Sequence, residues 1–179
     1  AKSSISSPTI ESYLRYLQEA FIIDRVDRME IRGRKHIGAT YKYYFADVGL
    51  RNARVDFLHG DEGHVLENII YNELKHRGFS IQVGVVETFP KNAQGTTERK
   101  TLETDFVAVK GSDVYYLQSA FSLYDEKKIE QEKKSLLSIR DSFKKIIVVR
   151  QPTPIRKDEH GITLMSIVDF LLDENSLDR

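Results

Sequence analysis

Two acidic residues stand where acids are costly. Glu67 lies beside the apolar side of a strongly helical stretch, "DEGHVLENIIYNELKHRG", and Asp105 interrupts the apolar strand-like run "LETDFVAV". Carboxylate oxygens are the hard donors that Mg²⁺ and similar cations take, and a Gln carboxamide adds a neutral one. A second strand-like run, "VYYLQSAF", follows a Gly-Ser-Asp turn and carries Gln118 and Ala120. Side chains alternate along a strand, so Asp105 is expected to share a side with Val107 and Val109, and Gln118 with Ala120. If the helix packs across the two strands, Glu67, Asp105 and Gln118 converge. Such a set would hold a divalent cation against a phosphate ester.

The elements that must position these residues can be read from periodicity. Val65, Leu66, Ile69, Ile70 and Leu74 form one helical side, and Gly78 supplies the stop. Glu73 falls inside that apolar arc, which calls for a nearby cation or Tyr hydroxyl. Strands are expected over 79–86, 102–109 and 114–121, a helix over "YDEKKIEQEKKSLLSIRDSF", a buried strand at "KKIIVVR" and a closing helix at "MSIVDFLLDE". Helix, three strands, helix, strand implies an α/β sandwich around a small mixed sheet.

The first part of the chain reads differently. "SSPTIESYLRYLQEAFII" places Ser7 as N-cap and Pro8 in the first turn, with Ile10, Tyr13, Leu14, Leu17 and Phe21 on one stripe that needs a partner. Alternating residues then run to a basic tip, "RGRK", and return through Tyr41, Tyr43 and Phe45. A helix followed by a basic-tipped hairpin is the second half of a winged helix, so the chain is expected to begin inside a domain. Arg32, Arg34 and Lys35 at the tip are candidates for touching phosphate. Residues 1–58 carry ten Lys and Arg against seven Asp and Glu, while 59–179 carry 17 against 20. That split suggests two units, a partial winged-helix segment over 1–58 and an α/β domain over 59–179.

Composition narrows the classes further. The 179 residues are 40% hydrophobic and 30% charged, enough for a compact core. There are no cysteines, hence no disulfide framework and no thiolate metal site. No apolar run reaches the length of a bilayer span, and "AKSSISSPTI" lacks the apolar region of a signal peptide; no membrane partner and a cytoplasmic location are expected. "HGDEGH" gathers His59, Asp61, Glu62 and His64, but its spacing fits no zinc pattern, and Asp61 is placed to cap the following helix.

The order of elements, with Glu67 on the first helix, "TDF" on the second strand and "LQSA" on the third, resembles the PD-(D/E)XK nuclease superfamily. More closely, "KYYFADVGLRNA", "GHVLENIIYNEL", "ETDFVAV", "YYLQSAFSL" and "GITLMSIVDFLL" resemble the C-terminal domain of unknown function that follows the motor in a group of prokaryotic AAA+ type ATPases, and "SPTIESYLRYLQEAFII" is similar to the winged-helix segment before it. The resemblance implies a parent protein whose upstream domain binds ATP and is a partner of this one, with DNA or a protein as further partner. It implies Glu67 and Asp105 as metal ligands, with Gln118 as a further site residue, and Mg²⁺ as the cofactor such a site would take. Departures point to lost catalysis. No G-x-x-x-x-G-K-[ST] occurs, Thr104 replaces the signature Pro, Gln118 the second acid and Ala120 the lysine. Lys75, Lys100 and Lys110 are the lysines that could have migrated to serve instead, none at the expected spacing. The expected function is therefore recognition by a nuclease-like domain without catalysis, the alternative an active metal-dependent nuclease using Glu67, Asp105 and Gln118.

Overall fold

The computed structural model describes residues 5–33, 35–54, 62–92, 94–121 and 126–179. Helix α1 (Ser7–Glu19) leads into a hairpin of β1 (Ile23–Glu30) and β2 (Lys35–Phe45), then short α2 (Val48–Arg54) and α3 (Glu62–His76). Strands β3 (Ser80–Thr88), β4 (Lys100–Lys110) and β5 (Asp113–Ala120) follow, then α4 (Glu126–Ser138), β6 (Lys144–Val149), β7 (Arg156–Lys157), β8 (Thr163–Ser166) and α5 (Ile167–Leu172). The α/β class is as expected, but the sheet is not small. All eight strands join one mixed sheet in the order β2-β1-β3-β4-β5-β6-β8-β7.

The hairpin of the first segment is part of that sheet. β1 pairs antiparallel with β2 on one side and parallel with β3 on the other, Arg28 to Glu30 lying against Val83 to Val85. The segments expected as separate units thus share a backbone hydrogen-bond ladder. α3 reinforces the join. Asn68 is buried, and its carboxamide accepts from the Phe45 N–H at 2.9 Å and donates to the Phe45 carbonyl at 2.8 Å. Phe45 ends β2, which is an edge strand of the sheet among the described residues.

Two apolar layers sandwich the sheet. On one face, Leu66, Ile70 and Leu74 of α3 and Phe170 of α5 pack with Val83, Phe106, Leu117, Ile146 and Val148. On the other, Leu136 of α4 packs with Ile31, Val86, Val107, Ala120, Ile147 and Val149. β6 contributes to both layers, as an all-apolar strand covered on both faces must. Gly84 on β3 leaves room for this second layer: a Cβ there would lie 2.8 Å from Ile31 and 2.9 Å from Val107.

Two expectations shift and a third holds. The cap of α1 is Ser6, whose hydroxyl accepts from the Thr9 N–H at 3.4 Å, one residue before Ser7. The closing helix is shorter than "MSIVDFLLDE", because Thr163–Ser166 forms β8, buried at all four positions, and Ser166 then caps α5 by accepting from the Asp169 N–H at 3.0 Å. The acid inside the α3 arc is explained as anticipated: Glu73 accepts from the Arg77 guanidinium at 2.8 Å. Arg77 in turn donates to the carbonyls of Phe170 and Glu174 and to the Ser176 hydroxyl, tying α3 to the C-terminal turn.

Candidate functional site

A bulge in β4 decides where Asp105 points. β3 and β4 pair Gln82 with Val107 and Gly84 with Thr104, so Asp105 and Phe106 together oppose Val83 alone. An extra residue resets the alternation. Phe106 belongs to the α3 layer and Val107 to the α4 layer, yet the Asp105 carboxylate also reaches the α3 side. The expectation that Asp105 shares a side with Val107 and Val109 is corrected for this reason.

On β5 the residue that meets Asp105 is Ser119. Its N–H and its hydroxyl both donate to Asp105 Oδ2, at 2.8 and 2.7 Å. Gln118 does not join the site. Its side chain lies on the α4 side, donating to Glu132 at 2.7 Å, and its carboxamide oxygen accepts from the Ser135 hydroxyl at 3.5 Å and from the backbone N–H, not the carboxylate, of Asp105 at 3.2 Å. Ala120 also faces the α4 layer. Glu67 and Asp105 therefore converge as expected, and Gln118 does not.

What joins them comes from the hairpin. Lys42 of β2 extends its ammonium to 2.8 Å from Glu67 Oε1, 2.8 Å from Glu103 Oε1 and 3.6 Å from Asp105 Oδ1. Tyr44, two residues along and so on the same face, donates its hydroxyl to Glu67 Oε1 at 2.6 Å. Arg28 of β1 pairs with Glu103 at 2.8 Å. The cluster is two cations and three carboxylates drawn from four elements and braced by a fifth, β5. Lys42, Glu103, Tyr44, Ser119 and Arg28 were not among the expected site residues. "KYYF" and "ETD" show Lys42–Tyr44 and Glu103–Asp105 at strand spacing, which is the one signal the sequence offered.

The electrostatics follow from burial and proximity. Burial raises the Asp105 carboxyl, the Glu67 charge raises it further, and Lys42 with the two Ser119 donors pulls the other way, leaving it near 6. Burial alone would lower Lys42, but Glu67, Asp105 and Glu103 reverse this and hold it above the ordinary lysine range. Glu103 resists its own burial through Lys42 and Arg28 and sits below the usual carboxylate range. Burial and the neighbouring Glu67 raise Tyr44, which stays a neutral donor.

A divalent ion does not fit this arrangement. The ammonium of Lys42 sits at the focus of the three carboxylates, where the ion would have to go. Among the described residues no group of three His, Cys, Asp or Glu side chains is placed to hold a metal together. Of the remaining candidates, Arg32 and Lys35 are exposed at the hairpin tip and Arg34 lies outside the described residues. Lys75 pairs with Asp24 at 2.5 Å and Lys110 donates to the Arg77 carbonyl, so neither serves the site. His59 and Asp61 also lie outside the described residues; Glu62 opens α3 and pairs with Arg150.

A family profile described as "Domain of unknown function (DUF8612)" matches residues 1–59, the stretch that supplies Arg28, Lys42 and Tyr44. Glu67, Glu103 and Asp105 come from beyond it. An uncharacterized protein of Haemophilus influenzae (strain ATCC 51907 / DSM 11121 / KW20 / Rd) is 30% identical to this chain over 167 residues, 93% of the chain. The chain spans 38% of the length of that relative. No solved structure matches the chain. Among the described residues no helix is long and apolar enough to cross a membrane.

Proposed function

We propose that this chain is the non-motor, C-terminal part of a prokaryotic AAA+ type ATPase, and that its nuclease-like domain has exchanged catalysis for recognition of a nucleic acid or a protein. The observation that carries the reading is Lys42 among Glu67, Glu103 and Asp105. A lysine ammonium supplies one positive charge at the point where phosphodiester cleavage would require an exchangeable dication, and it is tethered to the fold. With Arg28 it nearly balances the acids. The cluster then acts as a clamp that fixes the hairpin to α3 and β4, and it presents the tip residues Arg32 and Lys35 on a rigid base.

The alternative, a divalent-metal nuclease using Glu67, Asp105 and Gln118, requires the Gln118 carboxamide on the side of the sheet opposite to where it lies. Lys42 gives that alternative its best support, since it brings a cation to the carboxylates from an unexpected strand. One experiment separates the readings. Single- and double-stranded DNA and RNA are incubated with the chain and Mg²⁺ or Mn²⁺, beside an Asp105→Ala control, and Mn²⁺ binding is followed by calorimetry. The expected result is neither cutting nor binding. Metal-dependent cutting that disappears in the control would overturn the proposal. Restoring Gln118→Glu and Ala120→Lys is not a useful rescue, because Ala120 faces the buried α4 layer and a lysine there would point away from Asp105.

A further inference from the structure

The basic hairpin tip does not stand alone. β1 runs parallel to β3 with Glu30 level with Val85, and the Ile31 N–H donates to the Val85 carbonyl at 3.0 Å. The tip therefore comes out at the end of the sheet from which the β3–β4 loop, residues 89–99, also leaves. Lys35 on β2 and Lys100 on β4 are three strand spacings apart, about 14 Å across the sheet, and three residues, about 10 Å, apart along it.

The loop is polar yet closed. The Asn92 N–H donates to the Thr96 carbonyl at 2.8 Å, and its side-chain oxygen accepts from the Gln94 and Thr96 N–H groups at 3.1 and 2.9 Å. Lys91 bridges to Thr97. No described residue of the loop belongs to either apolar layer. An ordered excursion that the core does not use is a surface for contact with something else.

Its charge is one-sided. Residues 30–36 and 87–100 carry six Lys and Arg against three Glu, in a chain whose totals are 27 and 27. Two of those acids are occupied, Glu87 by Arg99 and Glu98 by the Asn92 amide, and Glu30 stands opposite Lys35 in the ladder. Arg32, Lys35, Lys91 and Lys100 are exposed and have no acidic partner among the described residues. Among these cations Phe89 is 55% exposed. Thr88 pairs with Lys100 and the Glu98 N–H donates to the Pro90 carbonyl at 2.9 Å, which sets Phe89 opposite Arg99. Unpaired cations track a phosphodiester backbone, and an exposed ring beside them gives an unpaired base a face to stack on. A duplex hides its bases, and an acidic protein segment would use the cations without needing the ring.

We infer that this end of the sheet binds single-stranded nucleic acid, with Arg32, Lys35, Lys91 and Lys100 on phosphates and a base on Phe89. The inference rests on the recognition reading above and selects its nucleic-acid branch. Fluorescence anisotropy tests it, with single-stranded DNA and RNA of about 20 nucleotides and the matching DNA duplex, from about 50 to 200 mM salt. Four phosphate contacts give log Kd a slope of about 3 on log salt for a single strand. Lys91→Ala combined with Lys100→Ala should lower that slope to about 1.5 and weaken binding at least about fivefold at the lowest salt. Phe89→Ala should weaken single-strand binding at least about threefold and leave the duplex within about twofold. Arg156→Ala combined with Lys157→Ala, the same loss of charge on the β7 edge, should change binding less than about twofold. All five positions are exposed, so the urea midpoints should stay in place. No single-strand binding up to about 100 µM protein at the lowest salt, or binding that either the loop double variant or Phe89→Ala leaves within about twofold, overturns the inference and leaves recognition of a protein standing. The same probes incubated with the chain and Mg²⁺ are run on a denaturing gel, where cut strands would end the recognition reading itself whatever the affinity.

Discussion

Replacing Lys42 by Met tests whether the ammonium is the charge that holds the cluster together. Met keeps most of the stem volume, so the change is chiefly electrostatic. Removing one partner from a buried ion pair costs about 3–5 kcal/mol, because the other charge stays buried without compensation. Here the Lys42 side chain is 22% exposed and that of Glu103 35%, while those of Glu67 and Asp105 are 13% and 10%. Water will relieve Glu103, so a loss of about 2–4 kcal/mol at pH 7 is expected. The pH dependence carries the stronger test. Asp105 near 6 lies above its unfolded value of about 3.9, so the fold favours its protonated form and the penalty of ionising it appears as pH rises through that window. Without Lys42, one cause that lowers Asp105 is gone and the window moves up. At pH 5 the variant carries a neutral Asp105, and its deficit relative to wild type should shrink to about half. Urea unfolding at pH 5 and pH 7, with the slopes checked for equality, reads both numbers. A deficit below about 0.5 kcal/mol at pH 7, or one that is the same at both pH values, would refute the clamp.

Two further predictions address the sheet that supports the site. Gly84→Ala places a Cβ 2.8 Å from Ile31 and 2.9 Å from Val107, so it should cost about 1–3 kcal/mol in urea unfolding; a neutral result would mean the two layers are looser than described. Thr104 is fully buried, and its hydroxyl oxygen has no hydrogen-bond partner among the described residues, so Thr104→Val should raise stability by about 1 kcal/mol; a loss would reveal a hidden partner for that oxygen.

What could be read in the sequence was governed by local pattern. α3 was legible because apolar periodicity, a glycine stop and length agree. β6 was legible because an all-apolar run with polar flanks has few other places to go. The strand β8 was not, since "GITLMSIVDFLL" carries apolar residues suited to either element, and the change from strand to helix occurs at Ser166, whose cap role is visible only once Asp169 is seen to donate to it. Asp105 shows the limit most clearly. Counting alternate residues from Val107 places its carboxylate on the α4 side, and every step of that count is sound for a regular strand. The bulge arises from pairing with β3, some twenty residues earlier, where Gly84 allows Thr104 and Val107 to approach closely.

Lys42 is hidden in the sequence for the same reason. A migrated lysine is sought near the acids in sequence, and Lys75, Lys100 and Lys110 are near in that sense. Distance along the chain was the wrong measure. β2 joins the site because β1 inserts beside β3, which makes the hairpin the edge of the same sheet and sets Lys42 and Tyr44, on its α3 face, against Glu67. The site is therefore a property of the joined sheet and not of either segment. Changes that weaken the pairing of β1 with β3 should loosen the Lys42 cluster even though they touch none of its side chains, whereas changes confined to the β7 edge should leave it intact.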